Sequence, residues 1–291
     1  MSNKQIIEKE KLKEIARRLR IKIIKMAGKS DGCHVGGSLS AVEILDVLYF
    51  YEMKIDPKNV KWEKRDRFIL SKGHAAIALY TVLSEVGFIP EDVLISIDRV
   101  DSPLQCHPDM RICPGIEISS GSLGQGLSVA VGMALGAKLK YKAFRVYTLL
   151  GDGECQEGQV WEAAMSASKF KLDNLVAIID YNKLEITGKI SEVMPIEPLY
   201  DKWAAFGWHV LEINGNSIPQ IIDALEQAKQ IKEKPTIIIA HTVKGYGVSF
   251  MEDKVEWHGR SMFVNQVEKA LKELDCSQEE IKSILLQIKE S

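Results

Sequence analysis

An apolar run, Val146-Tyr147-Thr148-Leu149-Leu150, stops at Gly151-Asp152-Gly153, and the next apolar run, Leu175 to Ile179, stops at Asp180-Tyr181-Asn182. In open α/β sheets ligands bind outside the carboxyl ends of the strands, so Asp152 and Asn182 are expected to face one crevice. A carboxylate beside a neutral amide oxygen suits a hard cation, Mg2+ or Ca2+. Two side chains and a backbone carbonyl suffice if a diphosphate supplies the remaining oxygens. The glycines flanking Asp152 let such a ligand approach the backbone closely. Gly-Asp-Gly is also a common turn former and asparagine a common loop cap, so either feature alone fits a plain turn.

Four of the six histidines stand at glycine or proline turns: Cys33-His34-Val35-Gly36-Gly37, Lys72-Gly73-His74, Cys106-His107-Pro108 and Trp257-His258-Gly259. No cysteine or carboxylate set accompanies them as a zinc site would require. They read as an imidazole-lined polar pocket, suited to moving protons near neutral pH on a polyhydroxylated substrate. His209, inside the apolar segment Gly207 to Ile213, reads as structural, and His241, at a strand end, is undecided.

The elements that position these residues follow from periodicity. Ile6, Leu12, Ile15, Ala16, Leu19, Ile23 and Met26 recur at helical spacing and predict an amphipathic helix over 5–27. Residues 4–29 carry ten Lys/Arg against three Glu, the pattern of a solvated face or of a contact with a partner chain. Ser40-Ala41-Val42-Glu43 has the form of a capping box opening a second helix. A strand over Arg67 to Ser71 and a helix near 74–87 come next, and Pro90 is expected as the first residue of another helix. A glycine-rich helix over 121–141 leads into alternating strands (145–150, 175–181, 208–213, 236–241) and helices (157–170, 197–206, 218–232). Two helices over about 262–289 close the chain. Near-continuous apolar strands are those covered on both faces, so the fold class is α/β, a mostly parallel sheet with helices on both faces. The chain reads as one domain over 1–291. Its longest irregular stretch, 242–260, is of the kind that is usually functional.

Composition narrows the function classes. The formal charge is -2, from 38 Lys+Arg against 40 Asp+Glu, which gives no overall basic excess for nucleic acid. Cys33, Cys106, Cys113, Cys155 and Cys276 are odd in number and form no CxxC pair, as expected of reduced thiols in a cytoplasmic protein. No apolar run approaches the roughly 18 residues of a membrane span, and Met1 to Glu14 has no signal-type apolar region.

The spacing between the two strand ends is more specific than either end alone. Gly151-Asp152-Gly153 and Asn182 are separated by 28 residues, enough for one helix and one strand. This resembles the thiamine-diphosphate fingerprint, in which the aspartate and asparagine hold a divalent metal on the cofactor's diphosphate. Ser71 to Ala76, Ser119 to Gly132, Gly151 to Ala163 and Tyr181-Asn182-Lys183 together resemble the N-terminal, diphosphate-binding half of transketolase, over roughly residues 10–262.

The resemblance implies roles. The metal falls to Asp152, Asn182 and Leu184, and the cofactor to Gly37, His74, Gly121, Ser122, Leu123, Gly153, Glu157, Asn182, Lys244 and His258. His34 and His258 correspond to residues that meet the sugar near its reacting carbonyl, and His74 and His107 line the cofactor and donor side. Arg260 follows the histidine of Trp257-His258-Gly259, where a basic residue meets substrate. Glu157 corresponds to a glutamate that faces its equivalent in a neighbouring chain, although a plain charge at a helix start reads equally well. Lys244 and Arg260 equally fit exposed loop cations, and the glycines of 121–126 equally fit tight helix packing. Cys33-His34-Val35-Gly36-Gly37 departs from the Gly-His-Pro more usual in full-length enzymes, which puts the substrate mouth in doubt.

Full-length transketolases continue into a pyrimidine-binding domain, with the glutamate that activates the aminopyrimidine, and into a third domain. The resemblance therefore implies an N-terminal subunit of a split transketolase. It would transfer a two-carbon ketol unit between sugar phosphates, using thiamine diphosphate and Mg2+. A separate C-terminal subunit would supply the pyrimidine half, in an α2β2 heterotetramer. The alternatives are the alpha chain of a 2-oxoacid dehydrogenase, disfavoured by the histidine set, and a non-catalytic module that keeps the cofactor site.

Overall fold

The computed structural model describes residues 3–30 and 32–289; the side chains of residues 3–9, Ile6 among them, lie outside the described residues. The long first helix α1 (Asn3–Ala27) is followed by α2 (Val35–Leu39) and α3 (Val42–Val47), strand β1 (Arg67–Leu70), then α4 (Ala76–Val86) and α5 (Glu91–Leu94). Then come α6 (Gln125–Leu139), β2 (Val146–Gly151), α7 (Gly158–Lys169), β3 (Leu175–Tyr181), α8 (Ile190–Val193) and α9 (Leu199–Ala205). The last elements are β4 (His209–Asn214), α10 (Ile218–Gln230), β5 (Thr236–His241), α11 (Val264–Glu273) and α12 (Gln278–Lys289).

The five strands form one sheet in the order β1-β2-β3-β5-β4, and every pair is parallel. Parallel pairing brings all carboxyl ends to one edge. The register sets Gly151 opposite Asp180, and Tyr181 opposite His241, so the ends of β2, β3 and β5 stand level. Side-chain alternation divides the core in two. Tyr147, Leu149, Val176, Ile178 and Ile238 pack with the apolar faces of α1 to α4 and α10 to α12. Val146, Leu150, Leu175, Ala177, Ile179, Ile237 and Ile239 pack under α6, α7 and α9, with Trp203 and Trp208. The expected sheet, covered on both faces by helices, is the one observed.

Local expectations differ at four places. Ser40 does not cap α3: its hydroxyl donates to the Gly37 carbonyl and to Asp180, while Glu43 pairs with Arg20. The N-cap is Ala41, without a side-chain bond, because buried partners compete for both members of the expected box. The second helix also breaks, passing into a single π turn at Leu48–Glu52. Pro90 is extended and precedes α5 rather than opening it. The glycine-rich helix starts at Gln125, since Gly124 takes φ 82° and ends any helical continuation upstream. Among the described residues the five cysteines are unpaired, and no helix is long and apolar enough to cross a membrane.

Candidate active site

The carboxyl edge of the sheet gathers the two residue groups that the sequence singled out. Asp152 ends β2 in a tight turn. Its Oδ1 accepts the Gly153 N–H at 2.8 Å and its Oδ2 the Lys183 N–H at 2.5 Å. The second bond joins the ends of β2 and β3. Lys183, next to Asn182, takes φ 66°, a left-handed turn that lets Asn182 Oδ1 accept the Leu184 N–H at 3.2 Å. Asp152 and Asn182 are buried. Burial, and then the nearby Asp180, push the Asp152 carboxyl up to about 7, so a cation beside it relieves a real electrostatic cost.

The four loop histidines converge from four separate segments. His34 precedes α2, His74 lies in a short turn at Gly73–Ala75, His107 in the loop before Pro108, and His258 after the turn Val255–Trp257. The His34 ring centroid lies 5.1 Å from that of His74, 5.3 Å from His258 and 6.3 Å from His107, and His74 stacks on His258 at 5.4 Å. Glycine eases the approach at two places: a Cβ on Gly121 would stand 3.3 Å from His107 Cδ2 and one on Gly259 3.3 Å from the His34 ring, whereas one on Gly37 would make only ordinary contact, 3.7 Å from His74 Nε2. Burial first, and then neighbouring cations and histidines, lower the imidazoles. His34 falls to about 4, His258 to about 3 and His74 well below its usual range. These rings are neutral at pH 7, each with one N–H to donate and one nitrogen able to accept a proton.

Lys244 joins the two groups. Its ammonium donates to the Leu184 carbonyl at 3.0 Å and lies 2.7 Å from His258 Nδ1. It is 2% exposed, so the reading as an exposed loop cation is corrected: the turn after β5 folds it inward. Burial, and then Lys72, lower it to about 8. Arg260 is half-buried and stacks over the Trp257 ring at 4.7 Å, at the mouth beside His258. Ser122 is exposed, Leu123 half-buried, and Gly153 faces Glu185, whose Oε2 would lie 3.3 Å from an added Cβ. Glu157 is exposed at the start of α7, against Gly124 rather than against a histidine. A cavity of about 1010 Å3 opens at the ends of β3, β4 and β5, lined by Asn182, Leu184, Glu212 and His241 among others but by none of the four loop histidines. His241 lies 3.5 Å from Glu212 and is edge-on to Tyr181. His209 is half-buried on β4, its Nε2 without a hydrogen-bond partner.

The donor set can be tested against a metal and a diphosphate. Among the described residues no group of three or more His, Cys, Asp or Glu side chains is placed to hold an ion. One carboxylate, one amide oxygen and one carbonyl remain, all hard donors, and the Leu184 carbonyl already accepts a cationic N–H from Lys244. A diphosphate would add oxygens to the metal and meet the buried cation of Lys244. The residues fit the pair.

Two buried groups did not stand out in the sequence. Glu154 accepts from the Gly124 N–H at 2.8 Å, the Gly151 N–H at 2.9 Å and the Ser71 hydroxyl, tying the 121–124 segment to the turn after β2. Lys72 and Asp180 form a buried ion pair under the cluster. A signal was present, since Asp180 directly follows the apolar run Leu175 to Ile179 and Lys72 stands two residues after Leu70, the end of β1.

Comparison with known proteins agrees with this geometry. Residues 9–288 match the transketolase thiamine diphosphate binding domain. A 6-deoxy-6-sulfo-D-fructose transketolase subunit of Clostridium sp. (strain MSTE9) is 45% identical over 273 residues, covering 94% of this chain and 98% of that protein. An apulose-4-phosphate transketolase subunit of Phocaeicola vulgatus is 44% identical, covering 88% of this chain and 90% of that one. The crystal structure of Campylobacter jejuni transketolase superposes with a TM-score of 0.88 at 33% identity, over 95% of this chain but 45% of the longer one. The 2-oxoacid dehydrogenase alternative has no support in these matches. The chain belongs to the transketolase family, as a thiamine-diphosphate-binding N-terminal chain matching separate transketolase subunits over nearly their whole length.

Proposed function

We propose that this chain is the N-terminal subunit of a split transketolase, a transferase that moves a two-carbon ketol unit from a ketose phosphate to an aldose phosphate. The observation that carries the reading is the convergence of His34, His74, His107 and His258 beside the buried Asp152 and Asn182, with Lys244 bridging the two groups. Asp152, Asn182 and the Leu184 carbonyl would hold Mg2+, with Ca2+ as a substitute of the same donor preference. Gly37, His74, Gly121, Ser122, Leu123, Gly153, Glu157, Lys244 and His258 would surround the cofactor. When bound, thiamine diphosphate supplies a nucleophilic carbon and an electron sink for breaking a ketose carbon–carbon bond.

The chain's own residues do the rest. Neutral imidazoles at His34 and His258 would donate hydrogen bonds to a sugar carbonyl and hydroxyl, His258 through Nε2–H because its Nδ1 faces the Lys244 ammonium. With values of about 4 and about 3 they serve as donors rather than as bases at pH 7. Arg260, held against Trp257, meets an anionic substrate at the mouth. His74 and His107 would face the donor side, His74 close to Gly37 and the exposed His107 close to Gly121. The part of the site that activates the aminopyrimidine would come from a separate C-terminal subunit, in an α2β2 heterotetramer acting on pentose-type sugar phosphates in the cytoplasm. Glu157 and the basic face of α1 are candidate contact surfaces in that assembly.

The test is uptake of thiamine diphosphate with Mg2+ present, measured by titration calorimetry on the wild-type chain and on Asp152→Ala. The wild type is expected to bind and the variant to lose at least roughly 100-fold in affinity, since removing a first ligand exceeds the roughly 10–100-fold of outer-shell changes. Wild-type affinity in Asp152→Ala would overturn the assignment. Tight binding without turnover in any complex would favour the non-catalytic module.

A further inference from the structure

Lys72 and Asp180 are 1% and 0% exposed and form an ion pair. The Lys72 ammonium also donates to the Gly37 carbonyl at 2.9 Å. The Ser40 hydroxyl donates to Asp180 Oδ2 at 2.6 Å, and the Thr242 hydroxyl donates to Oδ1. Burial alone would raise the Asp180 carboxyl, but Lys72 and the two hydroxyls hold it below its usual range.

The arms of this network come from four segments, Gly37 and Ser40 sharing one, and each segment carries a residue of the candidate site. Lys72 stands two residues before His74, and Asp180 two before Asn182. Thr242 stands two before Lys244, and the Gly37 carbonyl three after His34. A buried pair is a poor way to gain stability: well-packed apolar residues of similar size usually serve as well or better, whereas removing one partner strands a charge. What the pair does supply is direction, since its hydrogen bonds are satisfied in one arrangement of the four segments only.

We propose that Lys72 and Asp180 are positioning residues whose network fixes the spacing between the metal and diphosphate end of the site and the histidine end. The inference rests on the function proposed above and adds to it two residues that touch neither substrate nor metal. Loss of the network lets the Asn182 and Lys244 turns move relative to His34 and His74. Cofactor affinity falls with it even where the fold is kept.

The test measures Mg2+–thiamine diphosphate affinity by calorimetry and, separately, urea unfolding of the cofactor-free chain. Asp180→Asn and Lys72→Met are expected to bind roughly 10–100-fold more weakly, the range found when outer-shell partners of a metal site are changed. Ser40→Ala and Thr242→Val keep the ion pair and are expected to bind several-fold more weakly, so the idea stays testable if the charge variants do not fold. The decisive protein is the double variant Lys72→Met/Asp180→Leu. Its unfolding midpoint is expected near that of wild type while its cofactor affinity stays at least tenfold down. Recovery of both affinity and stability in the double variant would overturn the positioning role. So would wild-type affinity in all the single variants. A wild-type chain that takes up no cofactor even when mixed with a chain carrying the pyrimidine-binding half would instead sink the reading of the whole site, and this inference with it.

Discussion

Asp46 offers a quantitative test of how burial governs ionisation in this chain. It lies on α3, is 0% exposed, and neither carboxyl oxygen has a hydrogen-bond partner. Burial, and then Glu43 on the same helix, push it up to about 8, against the opposing pull of Arg20 and Arg18 on α1. In the unfolded chain it titrates at the ordinary value of 3.8. Between those two values the folded state holds one proton more than the unfolded state, so rising pH favours unfolding. The contribution is present in full below the unfolded value, is lost progressively as pH rises, and is flat above the folded value. At about 1.4 kcal/mol per pH unit over roughly four units, the ceiling is about 6 kcal/mol. Relaxation and water entry at a buried carboxylate reduce such figures, so about 2–4 kcal/mol is the expected loss. Asp46→Asn removes the titration but keeps the shape. Its unfilled amide bonds add an offset that does not vary with pH, so the pH dependence of the difference is what counts. Urea unfolding of both proteins at pH 5, 6, 7 and 8 should show the variant gaining on wild type at each step, by about 2 kcal/mol or more in total. Two curves that run parallel from pH 5 to 8 would refute the reasoning.

The histidine cluster has the opposite sign. Because His34, His74 and His258 are held below the ordinary value of 6.5, stability is kept above that pH and falls as acid protonates the unfolded chain first. His74→Asn should flatten the loss between pH 6.5 and 5 in the same unfolding assay. Glu154→Gln sets an amide N–H2 among the donors of Gly124, Gly151 and Ser71, and should lower stability by about 2–3 kcal/mol and weaken cofactor uptake in calorimetry. Gly124→Ala meets φ 82° and a Glu157 Cβ at 2.9 Å. It should cost about 1–3 kcal/mol by thermal or urea unfolding, the larger part from the clash.

The sheet was legible because its inner strands are short, near-continuous apolar runs that break off at polar residues or glycine: β3 and β5 carry the expected bounds to the residue. The histidine pocket was legible for a related reason, since imidazoles at glycine turns have few structural uses. Features that failed to show depend on partners distant in sequence. Ser40 and Glu43 have the spacing of a capping box, but Asp180 and Arg20 take them, and neither partner is predictable from the local pattern. Lys244 fitted a cofactor position and an exposed cation equally well, because its two acceptors, Leu184 and His258, come from other turns. Lys72 and Asp180 stand at the ends of apolar runs, yet their pairing follows from strand order, with β2 between the strands β1 and β3, and order is not written in any single segment. Glu157 stays where the sequence left it, exposed at a helix start.

The most direct measurement is ketol transfer by this chain alone, and then mixed with a candidate chain carrying the pyrimidine-binding half, with thiamine diphosphate and Mg2+ in excess. The account predicts no turnover by the chain alone and turnover in the mixture that disappears with Asp152→Ala. Robust transfer by the chain alone would contradict it, because the residues gathered around His34, His74, His107 and His258 would then have to build the aminopyrimidine site as well.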